Sequence, residues 1–161
     1  MSNNNWETQP RLKNGEFTFR NKPDFMHRIF QKALEDAKSV EIRKRTRGGS
    51  YGFLRNFTTG NRGYEIHHMP AASVSPLTRW RGPCIIMSKD DHKKTGSFGK
   101  SHKAIRYRRW QAKLISEGSF IEAEYMDIKN IQRSFGDRYD TAIAEKIIYE
   151  KKLISEGFIN G

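Results

Sequence analysis

An α+β fold is what the sequence predicts, on three observations. Two short strand-like runs, Tyr64 to His68 and Cys84 to Met87, lie close together in the middle of the chain. Helical periodicity then fills residues 101–155 with hardly a break, and one further helical pattern precedes the strands. Strands and helices are therefore segregated rather than alternating, which is the α+β arrangement and argues against a wound parallel sheet.

Residues 1–22 are polar and mixed and read as an extended lead-in. From Lys22 the pattern changes. Phe25, Met26, Ile29, Phe30, Ala33, Leu34 and Ala37 recur at helical spacing behind Pro23, which suits a first turn, so an amphipathic helix is expected over 23–39. The basic run Arg43, Lys44, Arg45 and Arg47 leads into GGSYGFLRNFTTGNRG, whose Gly and Asn content predicts turns around a short strand or irregular segment. Such a run is a solvated face or a set of phosphate contacts.

Tyr64, Ile66 and the adjacent His67 and His68 suit a strand that ends at Met69-Pro70, where a loop begins. A second strand, in GPCIIM, runs directly into SKDDHKKT. Here Ser88 is a good N-cap, Asp90 and Asp91 belong in a first helical turn, and His92 sits early on that helix. Beyond it, residues 101–117, 119–134 and 138–155 read as three helices, the second opening with the capping-box spacing Ser119 to Glu122. KLISEG occurs twice, at Lys113–Gly118 and Lys152–Gly157. Each copy reads as a helix ending in a left-handed glycine, with the next Phe folding back on the last turn.

With 161 residues the chain fits one domain with a core of its own. A hydrophobic fraction of 35%, a charged fraction of 30% and the lack of any apolar run near the roughly 18 residues of a span argue against a membrane protein. The first residues lack the apolar core of a secretory signal, so export, if any, is expected to use a machine that does not read one. Cys84 is the only cysteine, which excludes an internal disulfide and a cysteine-cluster zinc site. Net charge is +12 and uneven: residues 1–110 carry 23 basic and 9 acidic side chains, residues 111–161 carry 7 and 9. A positive field concentrated around the histidines makes nucleic acid the leading partner class.

The order strand with two histidines, loop, strand, helix with a histidine is the layout of a ββα-metal finger. Its chemistry explains the residue types. Phosphodiester hydrolysis needs a base to activate water and a cation to neutralise the phosphate and the departing oxygen. A neutral imidazole can take the proton at physiological pH. Adjacent strand residues point oppositely, so the pair can divide these tasks: His68 is assigned as general base, and His67 and His92 as metal ligands. His27 and His102 belong to other segments and read as structural or solvated.

EIHHMP followed about two dozen residues later by MSKDDHKKTGSFG resembles the HNH/endonuclease VII superfamily. Within it the chain resembles the nuclease toxins of bacterial polymorphic and interbacterial competition systems, with the DNase colicins as more distant relatives. The likeness covers roughly Ser50 to Tyr149. It implies a single nuclease toxin domain: a ββα-metal (HNH-like) core near 62–100, an N-terminal helix and a helical cover over 101–157. It also implies a divalent ion (magnesium, manganese, zinc or nickel), delivery from the producer's cytoplasm to a target cell by a dedicated machinery, and a cognate immunity protein, which the basic field suggests is acidic. Two departures stand out. Gly82-Pro83 occupies the place of an asparagine that often fixes the loop before the second strand, and the position four beyond His92, a histidine in the colicin-like pattern, is Gly96. Glu65, on the face of His67, and Asp91, beside His92, are the candidates for the missing ligand. Arg79, Trp80 and Arg81, with Lys93, Lys94, Arg106, Arg108 and Arg109, are candidate nucleic-acid contacts. DNA cut without strong sequence preference is the expected substrate, because the basic field reads backbone. A ribonuclease using the same histidines, and a noncatalytic basic nucleic-acid-binding protein, are the alternatives.

Overall fold

The computed structural model describes residue 28, residues 31–39 and residues 46–160. The lead-in, His27, Arg43 to Arg45 and most of the apolar face expected of the first helix lie outside the described residues; residues 31–36 are helical. The fold is a small sheet flanked by helices, α+β in class.

Three strands, β1 (Gly48–Ser50), β2 (Tyr64–His68) and β3 (Pro83–Ser88), form an antiparallel sheet in the order β1-β3-β2. The central strand is the most apolar. PCIIM is buried at every position, as a strand covered on both faces must be. In the β2–β3 register Glu65 pairs with Met87, His67 with Ile85 and His68 with Cys84. Period-two alternation then sorts the side chains. Cys84 and Ile86 face Leu54, Tyr64 and Ile66 on one side, while Ile85 and Met87 join the main core with Ile128, Ile131, Ile143 and Ile147 on the other.

The first side is covered by α1 (Tyr51–Thr58), where the sequence reading expected turns. Ser50 decides the outcome: its hydroxyl accepts from Phe53 N at 3.2 Å, capping a helix that then buries Leu54. Glycine content concealed this, because both glycines of the 48–49 pair lie in β1 and are needed there for another reason. A Cβ on Gly48 would overlap Ala142 O and come 2.7 Å from Lys146 N, so the last helix can lie against β1 only where there is no side chain.

The remaining helices are α2 (Lys89–His92), α3 (His102–Ser116), α4 (Phe120–Phe135) and α5 (Asp140–Ser155). Ser88 caps α2 by accepting from Asp91 N, and Ser101 caps α3 by accepting from Ala104 N. The capping box at Ser119 does not form: that residue has φ −102° and ψ 57° and makes no side-chain cap bond. The connection from α3 is instead closed by Gly118 at φ 81°, with Ser119 N donating to Leu114 O at 2.8 Å. The second KLISEG ends the same way at Gly157, φ 75°. Phe120 packs back as expected, but Phe158 is exposed and Ile159 takes the buried place beside Leu153. Among the described residues no helix is long and apolar enough to cross a membrane.

Two buried polar clusters tie the helices together. Tyr107 Oη donates to Asp127 Oδ1 at 2.9 Å and Gln111 Nε2 to Asp127 Oδ2 at 2.7 Å, joining α3 to α4. Lys146, fully buried on α5, is ion-paired with Glu124 and Glu150.

Candidate active site

α2 leaves β3 where Ser88 pairs with Tyr64, the first residue of β2, and packs back against both strands, so His92 joins His67 and His68 in lining one pocket, of about 390 Å³. Its floor is Ile66, His67, His68 and His92. Its rim comes from the 71–73 loop and from Ser97, Phe98, Gly99 and Lys100. The helical layer holds both loops: Ala71 N donates to Gln111 Oε1, Gly96 N donates to Asn130 Oδ1 at 2.8 Å, and Arg108 donates to the carbonyls of Ser97 and Gly99.

His67 and His92 form the inner pair, with ring centroids 5.0 Å apart and nearly perpendicular. His67 is 3% exposed, and its Nε2 is buried without a hydrogen-bond partner. An unpaired buried ring nitrogen is costly. Burial, reinforced by His92 and His68, holds this imidazole's pKa well below the ordinary histidine value, so the ring is neutral and keeps a lone pair. On His92, Nδ1 lies 2.7 Å from Glu65 Oε2. The carboxylate can only accept, so Nδ1 carries the proton and Nε2 is the nitrogen left for a ligand. Phe98 packs on the outer side of His92, its ring 5.0 Å away.

His68 lies on the opposite face of β2. Its ring stacks on Tyr51 at 5.0 Å and 22°, and Nε2 lies 3.0 Å from Arg79 O. A carbonyl accepts only, so Nε2 holds the hydrogen and Nδ1 is the basic nitrogen. Burial lowers the pKa of His68, with the bond to the Arg79 carbonyl opposing it, and the net result is a ring neutral at physiological pH. Gly82 makes this pose possible: a Cβ there would stand 2.8 Å from His68 Cδ2. Thus the departure noted at Gly82-Pro83 has a steric reason, since the His68 ring packs directly on that backbone.

Of the ligand candidates, Glu65 belongs to the cluster as the partner of His92. Asp91 does not join it. Its Oδ2 accepts from Arg138 Nη1 and Tyr139 Oη, both at 2.7 Å, and it lines a separate pocket with Ser88, Arg138 and Tyr139. Those donors hold its carboxyl below the usual range against the opposing effect of burial. Adjacency to His92 in sequence misleads here because neighbouring residues in a helix point about 100° apart. The other departure, Gly96, is also explained: a Cβ would lie 2.6 Å from Tyr107 Cε2, so the chain has no room for an imidazole there.

Among the described residues no group of three or more His, Cys, Asp or Glu is set to hold a metal ion. Two imidazole nitrogens could take a ligand here, His67 Nε2 and His92 Nε2, with Glu65 orienting one of them. That fits an open site completed by water or substrate rather than a closed cage.

The basic residues divide. Arg79 donates to Tyr51 Oη at 2.9 Å, with its guanidinium 4.7 Å from that ring's centroid, and Arg55 sits 5.1 Å over Trp80. Tyr51, Arg55 and Arg79 line a second cleft of about 530 Å³ that shares Ile66 and His92 with the first. Arg81 lies over Phe158 at 4.0 Å, toward the chain's end, and Arg108 is a clamp on the 97–99 loop rather than an outward contact. Lys93 and Lys94 are exposed beside α2, and Arg106 and Arg109 on α3. Sequence reasoning missed Tyr51, Arg55 and the Arg79 carbonyl. A backbone acceptor leaves no sequence signal, whereas the Ser50 cap could have exposed the helix that carries the other two.

Comparison of the chain with protein-family models, with curated proteins and with solved structures finds no significant match.

Proposed function

We propose that β2, β3 and α2 form a ββα-metal centre and that the chain is a metal-dependent endonuclease that hydrolyses DNA with little sequence specificity. The observation that carries this reading is the convergence on one pocket of an oriented imidazole, His68, and an imidazole pair, buried His67 and part-buried His92. His68 Nδ1 takes a proton from water, and the oxygen so activated attacks phosphorus as the P–O bond to the departing sugar oxygen breaks. Nε2–H stays on the Arg79 carbonyl, which fixes the tautomer through the step. Glu65 fixes the His92 ring in the same way. A divalent ion, when bound by His67 and His92, supplies neutralisation of the phosphate and the leaving oxygen. Two imidazoles suit nickel or zinc better than magnesium. Lys100 on the rim and Arg55 and Arg79 in the adjoining cleft supply the cationic surround for a phosphate backbone. An antibacterial toxin role, with an acidic immunity partner, is supported by the EIHHMP and MSKDDHKKTGSFG resemblance and by the basic charge of residues 1–110.

The test is cleavage of supercoiled plasmid and of total RNA by wild type and His68→Ala, with chelator and with each of magnesium, manganese, zinc and nickel. Metal-dependent plasmid nicking by wild type alone is expected. RNA loss without plasmid loss would move the substrate to RNA, and no cleavage with unchanged binding by both proteins would reject the enzyme in favour of a binding protein.

A further inference from the structure

Trp80 is 56% exposed, although it is the largest apolar side chain near the site. An exposed indole held in place, rather than folded into the core, points to a surface used for contact. It is held on several sides. Gly52 meets Trp80 at its Cε3, where an added Cβ would stand at 3.3 Å, and Gly52 N donates to Trp80 O at 3.0 Å. Tyr51 packs edge-on at 5.6 Å, and the Arg55 guanidinium lies 5.1 Å from the indole.

The surrounding cations match a strand. Arg55, whose guanidinium lies against the indole, and Arg79 line the 530 Å³ cleft that His92 also borders, and the peptide carbonyl of Arg79, next to Trp80 in the chain, is the one that anchors His68. A stacking surface and two guanidiniums therefore sit one residue from the fixed point of the base. Duplex DNA keeps its base faces stacked inside and offers phosphates, sugars and base edges, so an exposed indole finds no base face to stack on there. An unpaired strand presents base faces as well as phosphates, and aromatic stacking with flanking cations is how such strands are held.

We propose that Trp80, with Arg55 and Arg79, is a binding platform for unpaired nucleotides, and that the substrate enters this site as single-stranded or locally opened nucleic acid. The placement of that strand at His68 rests on the nuclease reading; the binding preference does not. Phe53 and Phe57, on the other flank of α1, are not part of the platform: they pack on each other beside Arg47, which is ion-paired to Glu145, and neither lines the cleft of Arg55 and Arg79.

The experiment uses the full chain carrying His68→Ala, so that no strand is cut, and follows fluorescence anisotropy of a labelled oligonucleotide of about 12 nucleotides, single-stranded or as a blunt duplex. The single strand is expected to bind more tightly. Trp80→Ala is expected to weaken single-strand binding roughly 5- to 100-fold and leave duplex binding unchanged, the range that loss of one base stack gives. Arg55→Gln should flatten the salt dependence of single-strand binding, and Phe57→Ala should change neither. Equal affinity for both forms, equal loss of both on Trp80→Ala, or an effect of Phe57→Ala as large as that of Trp80→Ala overturns the proposal. So does competition by polyglutamate as strong as that by the single strand, which would mark an acidic-protein surface. Metal-dependent cleavage by the parent chain with none of these binding differences removes the platform and leaves the nuclease standing. The binding differences without cleavage on any substrate do the reverse.

Discussion

Asp127 gives the molecule a pH dependence that can be worked out in sign and size. Its carboxyl is 1% exposed, and burial raises its pKa from 3.8 to about 7, while the hydrogen bonds from Tyr107 and Gln111 pull the other way. In the unfolded chain the group returns to its ordinary value. Between those two pH values the folded state holds a proton that the unfolded state has lost, so stability falls as pH rises. The contribution is fully present below about pH 4 and gone above about pH 7. A shift of roughly three units corresponds to about 4 kcal/mol, of which about 2 kcal/mol is lost between pH 5 and 7. The position bears on the candidate site, because Tyr107 closes over Gly96 and Gln111 accepts from Ala71 N, so this cluster supports both loops that line the histidine pocket. The perturbation is Asp127→Asn, and the assay is urea unfolding of both proteins at pH 5, 6, 7 and 8. Wild type should lose about 2 kcal/mol relative to the variant between pH 5 and 7 and little beyond pH 8. Parallel curves, or a wild type that gains on the variant as pH rises, would mean that folded Asp127 does not hold its proton above the ordinary carboxyl range.

Gly82→Ala should force the His68 ring off the Arg79 carbonyl and cut plasmid cleavage by on the order of 100-fold with the fold intact by circular dichroism; unchanged cleavage would mean that this pose is not the working one. Glu65→Ala should weaken nickel or zinc binding about 10- to 100-fold, with Glu65→Gln retaining more affinity because it still offers His92 an acceptor. Abolished binding in both variants would show Glu65 to be a ligand instead. Lys146→Ala leaves Glu124 and Glu150 buried without their cation and should cost about 3–5 kcal/mol in urea unfolding. A cost below about 1 kcal/mol would contradict the burial of that triad.

The helices of the C-terminal third were legible because their apolar spacing and terminal glycines are local signals. His102–Ser116, Phe120–Phe135 and Asp140–Ser155 each fall within two residues of the boundaries that spacing gives. The two longer strands and the Ser88 cap were legible for the same reason. What escaped is decided by tertiary approach. Gly48 serves the contact with α5, so the glycine pair read as a turn signal hid the helix starting at Tyr51. Ser119 has capping-box spacing, but Gly118 and Leu114 O had already fixed the chain's direction there. Within the site, strand alternation correctly put Glu65 with His67 and separated His68 from them. The fate of Asp91 was not readable, since Arg138 and Tyr139, more than 45 residues away, are what draw it aside.

The division of labour among the histidines is the centre of the account, and calorimetric titration of nickel into wild type, His67→Ala, His92→Ala and His68→Ala tests it most directly. Wild type and His68→Ala should each bind one ion with similar affinity although only wild type cleaves, and His67→Ala and His92→Ala should lose the site while keeping their circular dichroism. Binding abolished in His68→Ala, or no binding in wild type, would contradict it.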